Sequence, residues 1–232
     1  MAGDRWVTFD CYGTLVDWNA GMSAALEPLA GPGGRAGPLL AAYHQAELLL
    51  EAGPQWLPYR SVLTSGLVMA ARRTGLALAG NDCAALVDAW PSLPVFPDTA
   101  PALAALAAAG WKLAILTNCD DDLFRPTAAQ LPAGFDLVVT AEQVRSYKPG
   151  LAHFRQFAAR TGATPSSWIH VGCSWVHDVL PAARLGIRSV WVDRDRTGHP
   201  AKLAERRITA MRRLPETVAD VAAVPAWPAP GA

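Results

Sequence analysis

FDCYGTLVDW, residues 9–18, is the stretch of sequence that decides the fold. It completes the short apolar run of residues 5–10, so that the acid Asp10 stands where a buried strand would end. Gly13 then permits a tight turn. Two positions after the acid, where a second carboxylate could stand, the sequence has Tyr12 instead. The stretch predicts a strand that leads into a loop carrying a single acid.

Short apolar runs of this kind recur along the chain, with helical segments between them. The strand candidates are residues 5–10, 112–117, 135–140, 168–171 and 189–193, and the helix candidates between them are 98–110, 123–131, 151–162 and 179–186. Several of these strands are apolar throughout, which is typical of strands covered on both faces. Strands that alternate with helices predict right-handed crossovers and an α/β fold with a doubly wound parallel sheet.

Residues 18–92 interrupt this alternation. Helical stretches at 39–52 and 59–75 replace the strands, and GPGGRAGP at 31–38 reads as a loop or hinge. We expect a helical cap inserted after the first strand, over the carboxyl ends of the strands, where ligands bind in open α/β sheets. The predicted division is an α/β core of residues 1–17 and 93–223, a helical cap of residues 18–92 and a C-terminal tail of residues 224–232.

Composition argues against several classes of partner. The 232 residues include 20 basic and 20 acidic side chains, a balance that does not favour nucleic acid or an anionic membrane. The locally basic stretch AERRITAMRR, residues 204–213, is interpreted as a solvated helix face. The four cysteines lie far apart without metal-ligand spacing, and the N-terminal stretch lacks the apolar region of a signal peptide. A cytoplasmic protein with free thiols is therefore predicted.

Polar and reactive side chains follow four of the predicted strands. They are Asp10, Tyr12 and Thr14, then Thr117 and Asn118, then Lys148, and finally Cys173, Ser174 and Asp178. The carboxyl ends of parallel strands meet at one edge of a sheet, so we expect these side chains to lie close together.

The order D-x-Y-G-T-L-x-D, T-N, Y-K-P and G-x-S-x-x-x-D resembles the haloacid dehalogenase superfamily over nearly the whole chain. With Tyr12 in the first motif, it most resembles the L-2-haloacid dehalogenase branch, whereas most of the superfamily are magnesium-dependent phosphatases with D-x-D there. The resemblance implies that Asp10 is a nucleophile that forms an ester and that Lys148 keeps it ionised. It implies that Asp178 pairs with this lysine and helps to orient the hydrolytic water. No cofactor and no metal are expected.

The substrate side of the site follows from the same resemblance. Thr117 and Asn118 match a pair that could hold the substrate carboxylate and the leaving group. Thr14 is expected to hydrogen-bond near Asp10 and to close the turn that Gly13 permits, although all three residues could be structural caps. Trp18 could wall the pocket or pack in the core. The remaining substrate-binding candidates are Tyr12, His44, Ser174 and Trp175.

Tyr12 points away from phosphate esters. In the phosphatases the second Asp protonates a departing alkoxide, and a tyrosine with a pKa near ~10 is a much weaker acid. A halide, or an amine that is already protonated, leaves without receiving a proton. Displacement at carbon is therefore favoured, with simple packing of Tyr12 as the alternative.

Four positions depart from the dehalogenase pattern. His44 stands where the dehalogenases carry an arginine, Phe154 replaces a tyrosine, and Cys173 and Trp175 replace a serine and an asparagine. Cys173 also stands in place of the first acid of the phosphatase fourth motif, which leaves magnesium short of hard oxygen ligands.

The sequence thus predicts a metal-independent hydrolase that uses Asp10 to displace a leaving group from a small 2-substituted carboxylic acid, as an (S)-2-haloacid dehalogenase does. The alternatives are a related hydrolase that opens the ring of azetidine-2-carboxylate, a magnesium-dependent phosphatase, and a binding protein that has lost turnover. A homodimer is expected by analogy with similar proteins.

Overall fold

The computed structural model describes residues 4–31, 36–131 and 134–224. Within them, the strands are β1 (Trp6–Phe9), β2 (Lys112–Thr117), β3 (Leu137–Thr140), β4 (Trp168–Gly172), β5 (Arg188–Val192) and β6 (Arg206–Ile208). They form one parallel sheet in the order β3-β2-β1-β4-β5-β6. This confirms the predicted α/β fold with a parallel sheet, and it places β1 in the centre between β2 and β4.

Helices occupy most of the connections between the strands and most of residues 18–92. They are α1 (Trp18–Ala30), α2 (Ala36–Glu51), α3 (Tyr59–Thr74), α4 (Ala85–Ala89), α5 (Thr99–Ala108), α6 (Asp121–Gln130), α7 (Ala141–Val144), α8 (Ala152–Thr161), α9 (Leu180–Arg184) and α10 (Leu214–Ala223). A single π-helical turn, Trp175–Val179, leads into α9.

The apolar strands are buried on both faces, as their composition predicts. Along β2, Leu113 and Ile115 join a core that includes residues of α5 and α10. Their neighbours Ala114 and Leu116 join a second core that includes residues of α8 and α9. Successive side chains of a strand point to opposite faces, so a strand buried on both sides has no polar face to show.

The segment of residues 18–92 leaves and rejoins the sheet at one place. Val16 and Val95 form an antiparallel bridge, the amide of Asp17 donates to Pro94 O at 2.7 Å, and that of Phe96 donates to Leu15 O at 3.0 Å. The described part of this segment contains helices and no strand. The domain boundaries at 17/18 and 92/93 stay a prediction.

The predicted loop at 31–38 and the predicted C-terminal tail lie partly outside the described residues. The expected loop at 31–38 is shorter, because residues 36–38 already belong to α2, and residues 32–35 lie outside the described residues. The predicted tail also falls outside them from residue 225 onward.

The interpretation of residues 204–213 as a solvated helix face is wrong. They form β6 and a short 3₁₀ helix, Met211–Arg213. Ile208 and Met211 are buried, while Arg206 and Arg207 of the edge strand are exposed. A strand of three residues is too short for its alternation to stand out from a basic run.

All four cysteines carry free thiols. Among the described residues, no helix has the length and apolar character needed to span a bilayer.

Candidate active site

Asp10 lies at the carboxyl edge of the sheet, directly after the central strand. Its amide donates to Val171 O at 2.9 Å and so continues the pairing of β1 with β4. The chain then turns at Gly13, whose φ of 90° lies in the left-handed region. A Cβ at this position would lie 2.7 Å from Cys173 Sγ, so the turn and the close approach both require glycine.

A buried lysine joins two carboxylates beside this turn. Lys148 Nζ donates to Asp10 Oδ1 at 2.9 Å and to Asp178 Oδ1 at 2.7 Å, and its side chain is 1% exposed. Asn118 holds the backbone of this lysine from both sides, because its Oδ1 accepts from Lys148 N at 2.8 Å and its Nδ2 donates to Lys148 O at 3.1 Å. Asn118 therefore positions Lys148, and its amide is already engaged.

Thr14 fixes the other oxygen of the nucleophile candidate. Its hydroxyl donates to Asp10 Oδ2 at 2.7 Å and accepts from the amide of Cys173 at 2.8 Å. The hydroxyl thus ties the loop after β1 to the loop after β4.

Asp178 lies behind Lys148 and is held by a chain of buried polar groups. Oδ2 accepts from Ser174 N at 3.0 Å, and Oδ1 lies 3.3 Å from His170 Nε2. Thr8 Oγ1 lies 2.8 Å from His170 Nδ1 and accepts from Trp168 Nε1 at 2.7 Å. An ionised carboxylate can only accept, so His170 donates from Nε2 to Asp178, and in the neutral imidazole Nδ1 then accepts the Thr8 hydroxyl proton.

These contacts give the three charged groups different proton affinities. Burial raises the pKa of Asp10, although the Lys148 ammonium and the Thr14 hydroxyl oppose it. Burial would also raise the pKa of Asp178, but the charge of Lys148 and the hydrogen bond from His170 outweigh it and hold that pKa well below its usual range. Burial would lower the pKa of Lys148, but the two carboxylates raise it, so Lys148 stays an ammonium.

A cavity of about 400 Å³ opens in front of Asp10 and Lys148. The predicted site residues that line it are Asp10, Tyr12, Trp18, His44, Thr117, Asn118, Lys148 and Ser174, together with Cys173. Thr14 and Asp178 do not line it; they contact Asp10 and Lys148 from behind. The topology of the sheet therefore brings most of these chain-distant residues together.

The Tyr12 hydroxyl is engaged by two neighbours. It accepts from Trp90 Nε1 at 2.8 Å and lies 3.0 Å from Thr127 Oγ1. Burial raises its pKa well above the usual value for tyrosine. Tyr12 is thus a very weak acid in this site, as its chemistry suggests from the sequence.

Trp18 and His44 form a stacked pair on the cap side of the cavity, with ring centroids 4.9 Å apart and planes 23° from parallel. Trp18 Nε1 and His44 Nε2 are both buried and have no hydrogen-bond partner among the described residues. Burial lowers the pKa of His44, so its ring is neutral near pH 7. The pair offers polar atoms to a ligand but not the positive charge of an arginine.

Two of the departing positions lie away from the cavity. Trp175 stacks on His199 at 5.7 Å and packs against Trp191 at 5.1 Å, so the structure does not bring this predicted substrate-binding residue to the lining. Phe154 is fully buried and packs edge-on against His170 at 4.9 Å.

The cavity also contains residues that sequence reasoning missed. The cap helix α2 contributes Glu47 and Glu51, α3 contributes Tyr59, and the π-helical turn contributes His177. The loop after β5 adds Arg194 and its neighbours. The two glutamates had a signal, because acids four residues apart in the apolar stretch at 39–52 share one helix face.

Residues 5–186 match the family model of haloacid dehalogenase-like hydrolases. The chain belongs to this family. Among curated relatives, (S)-2-haloacid dehalogenase 1 of Pseudomonas sp. strain CBS-3 is 26% identical over 221 residues, covering 91% of this chain and 95% of the relative. A solved L-2-haloacid dehalogenase is 26% identical, with a TM-score of 0.81 and coverage of 94% and 100%.

Phosphatases are also among the relatives of this haloacid dehalogenase-like hydrolase. The phosphoserine phosphatase of Thermus thermophilus is 33% identical over 124 residues, which cover 52% of this chain and 50% of that protein. The comparisons therefore support a hydrolase of this family, in accord with the resemblance noted from the motifs.

The donor set of this haloacid dehalogenase-like hydrolase does not fit magnesium. Asp10, Cys173 and Asp178 each offer an atom within 4.8 Å of the others. Burial raises the pKa of Cys173 well above its usual value, so it offers a neutral sulfur where Mg²⁺ requires hard oxygen ligands. Lys148 Nζ already donates to both carboxylates.

Proposed function

We propose that this protein is a metal-independent hydrolase that displaces a leaving group from carbon 2 of a small 2-substituted carboxylic acid, as an (S)-2-haloacid dehalogenase does. One observation carries the proposal: Asp10 and Lys148 pair at 2.9 Å beside the cavity, while the neighbouring Tyr12 is too weak an acid to protonate an alkoxide. The relatives named (S)-2-haloacid dehalogenase support this chemistry.

The reaction has two steps. An Asp10 carboxylate oxygen attacks carbon 2, the carbon–halogen bond breaks, and halide leaves with the bonding electrons, so an ester joins Asp10 to the substrate. Water then adds to the carbonyl carbon of this ester, and the bond from that carbon to the substrate oxygen breaks. The products are a 2-hydroxy acid, halide and one proton, and the Asp10 carboxylate is restored.

Neighbouring residues prepare Asp10 for the attack. Thr14 and Lys148 hold its two oxygens and leave the remaining lone pairs for the substrate. Asp178 acts through Lys148, because it is 1% exposed and already accepts from three donors. Trp18 Nε1 is a buried donor without a partner among the described residues, which suits a substrate carboxylate oxygen.

The test is a single turnover in ¹⁸O-labelled water with EDTA present, using (S)-2-chloropropanoate. We expect chloride release and one ¹⁸O atom in the Asp10 side chain, detected by mass spectrometry of the peptide that contains it. Asp10→Asn should release no chloride. Turnover without label in Asp10 would refute the ester intermediate, and turnover abolished by EDTA would refute the metal-independent step.

The alternatives differ in what the same assay would show. Ring opening of azetidine-2-carboxylate uses the same nucleophile with an amine as leaving group, so it would also label Asp10. A magnesium-dependent phosphatase would release phosphate only with the metal, and a binding protein would turn over neither compound. The cytoplasmic location and the homodimer stay predictions.

A further inference from the structure

The cavity beside Asp10 has an excess of acidic groups. Of its described lining residues, Asp10, Asp17, Glu47, Glu51, Asp193 and Asp195 are acidic, whereas Lys148 and Arg194 are the permanently cationic ones. Burial lowers the pKa of the two lining histidines, His44 and His177, which are therefore neutral near pH 7. An anionic substrate alone does not match this distribution of charge.

Both cations are already paired. Lys148 donates to Asp10 and Asp178. Arg194 donates to the two carboxylate oxygens of Asp98 at 3.2 and 2.9 Å, and its guanidinium lies over the ring of Phe96 at 3.7 Å. Arg194 is therefore paired with Asp98, and Lys148, whose charge also lowers the pKa of Glu51, is already shared by two other carboxylates.

Glu47 has one oxygen held and one available. Its Oε1 accepts from Tyr59 Oη at 2.5 Å and from Tyr43 Oη at 3.2 Å, and the residue is 9% exposed. Its Oε2 has no hydrogen-bond partner in the described part of the chain, although the residue lines the cavity. Because Glu47 lines the cavity, a ligand there can donate a hydrogen bond to this oxygen.

Glu51 strengthens the case because it lies one helical turn further along α2. Acids at positions i and i+4 of a helix share one face and repel each other. Burial raises the pKa of Glu51, the charge of Glu47 raises it further, and Lys148 lowers it. Burial also raises the pKa of Glu47, to about 7. We call this pair on the cap side the glutamate wall; a cation placed against it would favour the charged form of both carboxyl groups and relieve their repulsion.

We propose that the substrate carries an ammonium group, which the glutamate wall of Glu47 and Glu51 binds while Asp10 attacks carbon 2. The substrate class is then a small halogenated or otherwise 2-substituted acid with an amino group at its far end. An ammonium has three N–H donors and can serve the free Oε2 of Glu47 and the carboxylate of Glu51 together. This inference rests on the proposed function for its reaction, but not for its binding contacts.

Two matched pairs of compounds test it, each differing by ammonium against methyl. For turnover, chloride release from (S)-4-amino-2-chlorobutanoate is compared with that from (S)-2-chloropentanoate, with enzyme-free blanks subtracted. For binding, calorimetry compares 4-aminobutanoate with pentanoate. We expect the amino member of each pair to be favoured at least about tenfold, in kcat/KM or in Kd, because its ammonium makes charge-assisted hydrogen bonds in a buried site.

Charge-neutral variants identify the residues responsible. Glu51→Gln and Glu47→Gln should each reduce the preference for the ammonium compound several-fold. Glu27→Gln removes the same charge from an exposed position of α1 and should keep the preference intact. Equal binding of pentanoate and 4-aminobutanoate, or a preference that survives both cavity variants, would overturn the inference.

The two proposals can fail separately. If neither chloro acid is turned over and Asp10 acquires no label, the proposed function fails, while the binding pair still decides whether the glutamate wall binds ammonium. If (S)-2-chloropentanoate is turned over with the same kcat/KM as its amino counterpart, the proposed function stands and the ammonium inference fails.

Discussion

Replacing Lys148 with methionine removes the ammonium that Asp10 and Asp178 share, while it keeps most of the side-chain volume. The lysine side chain is 1% exposed, and those of the two acids are 11% and 1% exposed. Removal of one member of a buried ion pair costs about 3–5 kcal/mol of the free energy of unfolding. Because this lysine serves two carboxylates, we expect a loss near the upper end, about 4–5 kcal/mol at pH 8.

The loss should shrink as the pH falls, and its sign follows from the two carboxylates. In the wild type the lowered pKa of Asp178 stabilises the fold above the pKa of an unfolded Asp. Without the ammonium, burial and mutual repulsion raise the pKa of both acids. The folded variant then binds more protons than the unfolded chain, so its stability rises as the pH is lowered. The difference in free energy of unfolding between Lys148→Met and the wild type should therefore become smaller as the pH is lowered from 8 to 5.

Urea unfolding followed by tryptophan fluorescence measures both effects. Lys112→Met is the matched control, because Lys112 pairs with Asp4 at 3.1 Å on the surface, with side chains 43% and 59% exposed. Exposed pairs of this kind contribute about 0–1 kcal/mol. A Lys148→Met loss no larger than that of the control, or one that does not change with pH, would refute the shared-cation reasoning.

Three further predictions concern the same region. Burial raises the pKa of Asp10 above its ordinary value of 3.8, so the acid limb of the pH profile of kcat/KM should have its midpoint above pH 3.8. If kcat/KM of the folded enzyme stays constant down to pH 3.8 and below, this prediction is contradicted. His170→Phe removes a hydrogen-bond donor to Asp178, so urea unfolding should show a loss of about 1–3 kcal/mol of the free energy of unfolding, and steady-state kinetics should show a lower kcat. If neither quantity changes, the hydrogen bond from His170 does not hold Asp178 as described. Gly13→Ala forces a side chain into a φ of 90° and against Cys173, so urea unfolding should show a loss of about 2–4 kcal/mol. Adding Cys173→Ala should remove the clash and restore part of the lost free energy of unfolding, but it should leave the backbone strain at residue 13. Full restoration by this second substitution would exclude backbone strain.

The strands that could be predicted from the sequence are those whose apolar run is long and free of exposed charged residues. The six residues of β2 are apolar enough to be recognised as a buried strand, whereas the three of β6 include two exposed arginines. Asp10 and Lys148 lie close together because the loops that follow parallel strands all lie at the carboxyl edge of the sheet. The topology of the sheet is enough to predict this.

The features that could not be predicted from the sequence depend on how individual side chains and helices are oriented, and not on the topology of the sheet. The π-helical turn of Trp175–Val179 turns Trp175 toward His199 and Trp191, and a tighter or wider turn would aim it elsewhere. The engagement of Asn118 with the backbone of Lys148 depends on an amide orientation that no motif encodes. Which face of α2 meets the cavity is set by its packing against α1 and α3, and Glu47 and Glu51 could be assigned to the site only once that packing was known.

The bridge between Val16 and Val95 makes the entry and the exit of residues 18–92 immediate neighbours. Because this segment enters and leaves the sheet at one place, its replacement would not reroute any strand. Asp10 and Lys148 lie outside residues 18–92, whereas Glu47 and Glu51 lie within them. If the glutamates select the substrate as proposed, grafting this one contiguous stretch of chain would change the selection and leave Asp10 and Lys148 in place.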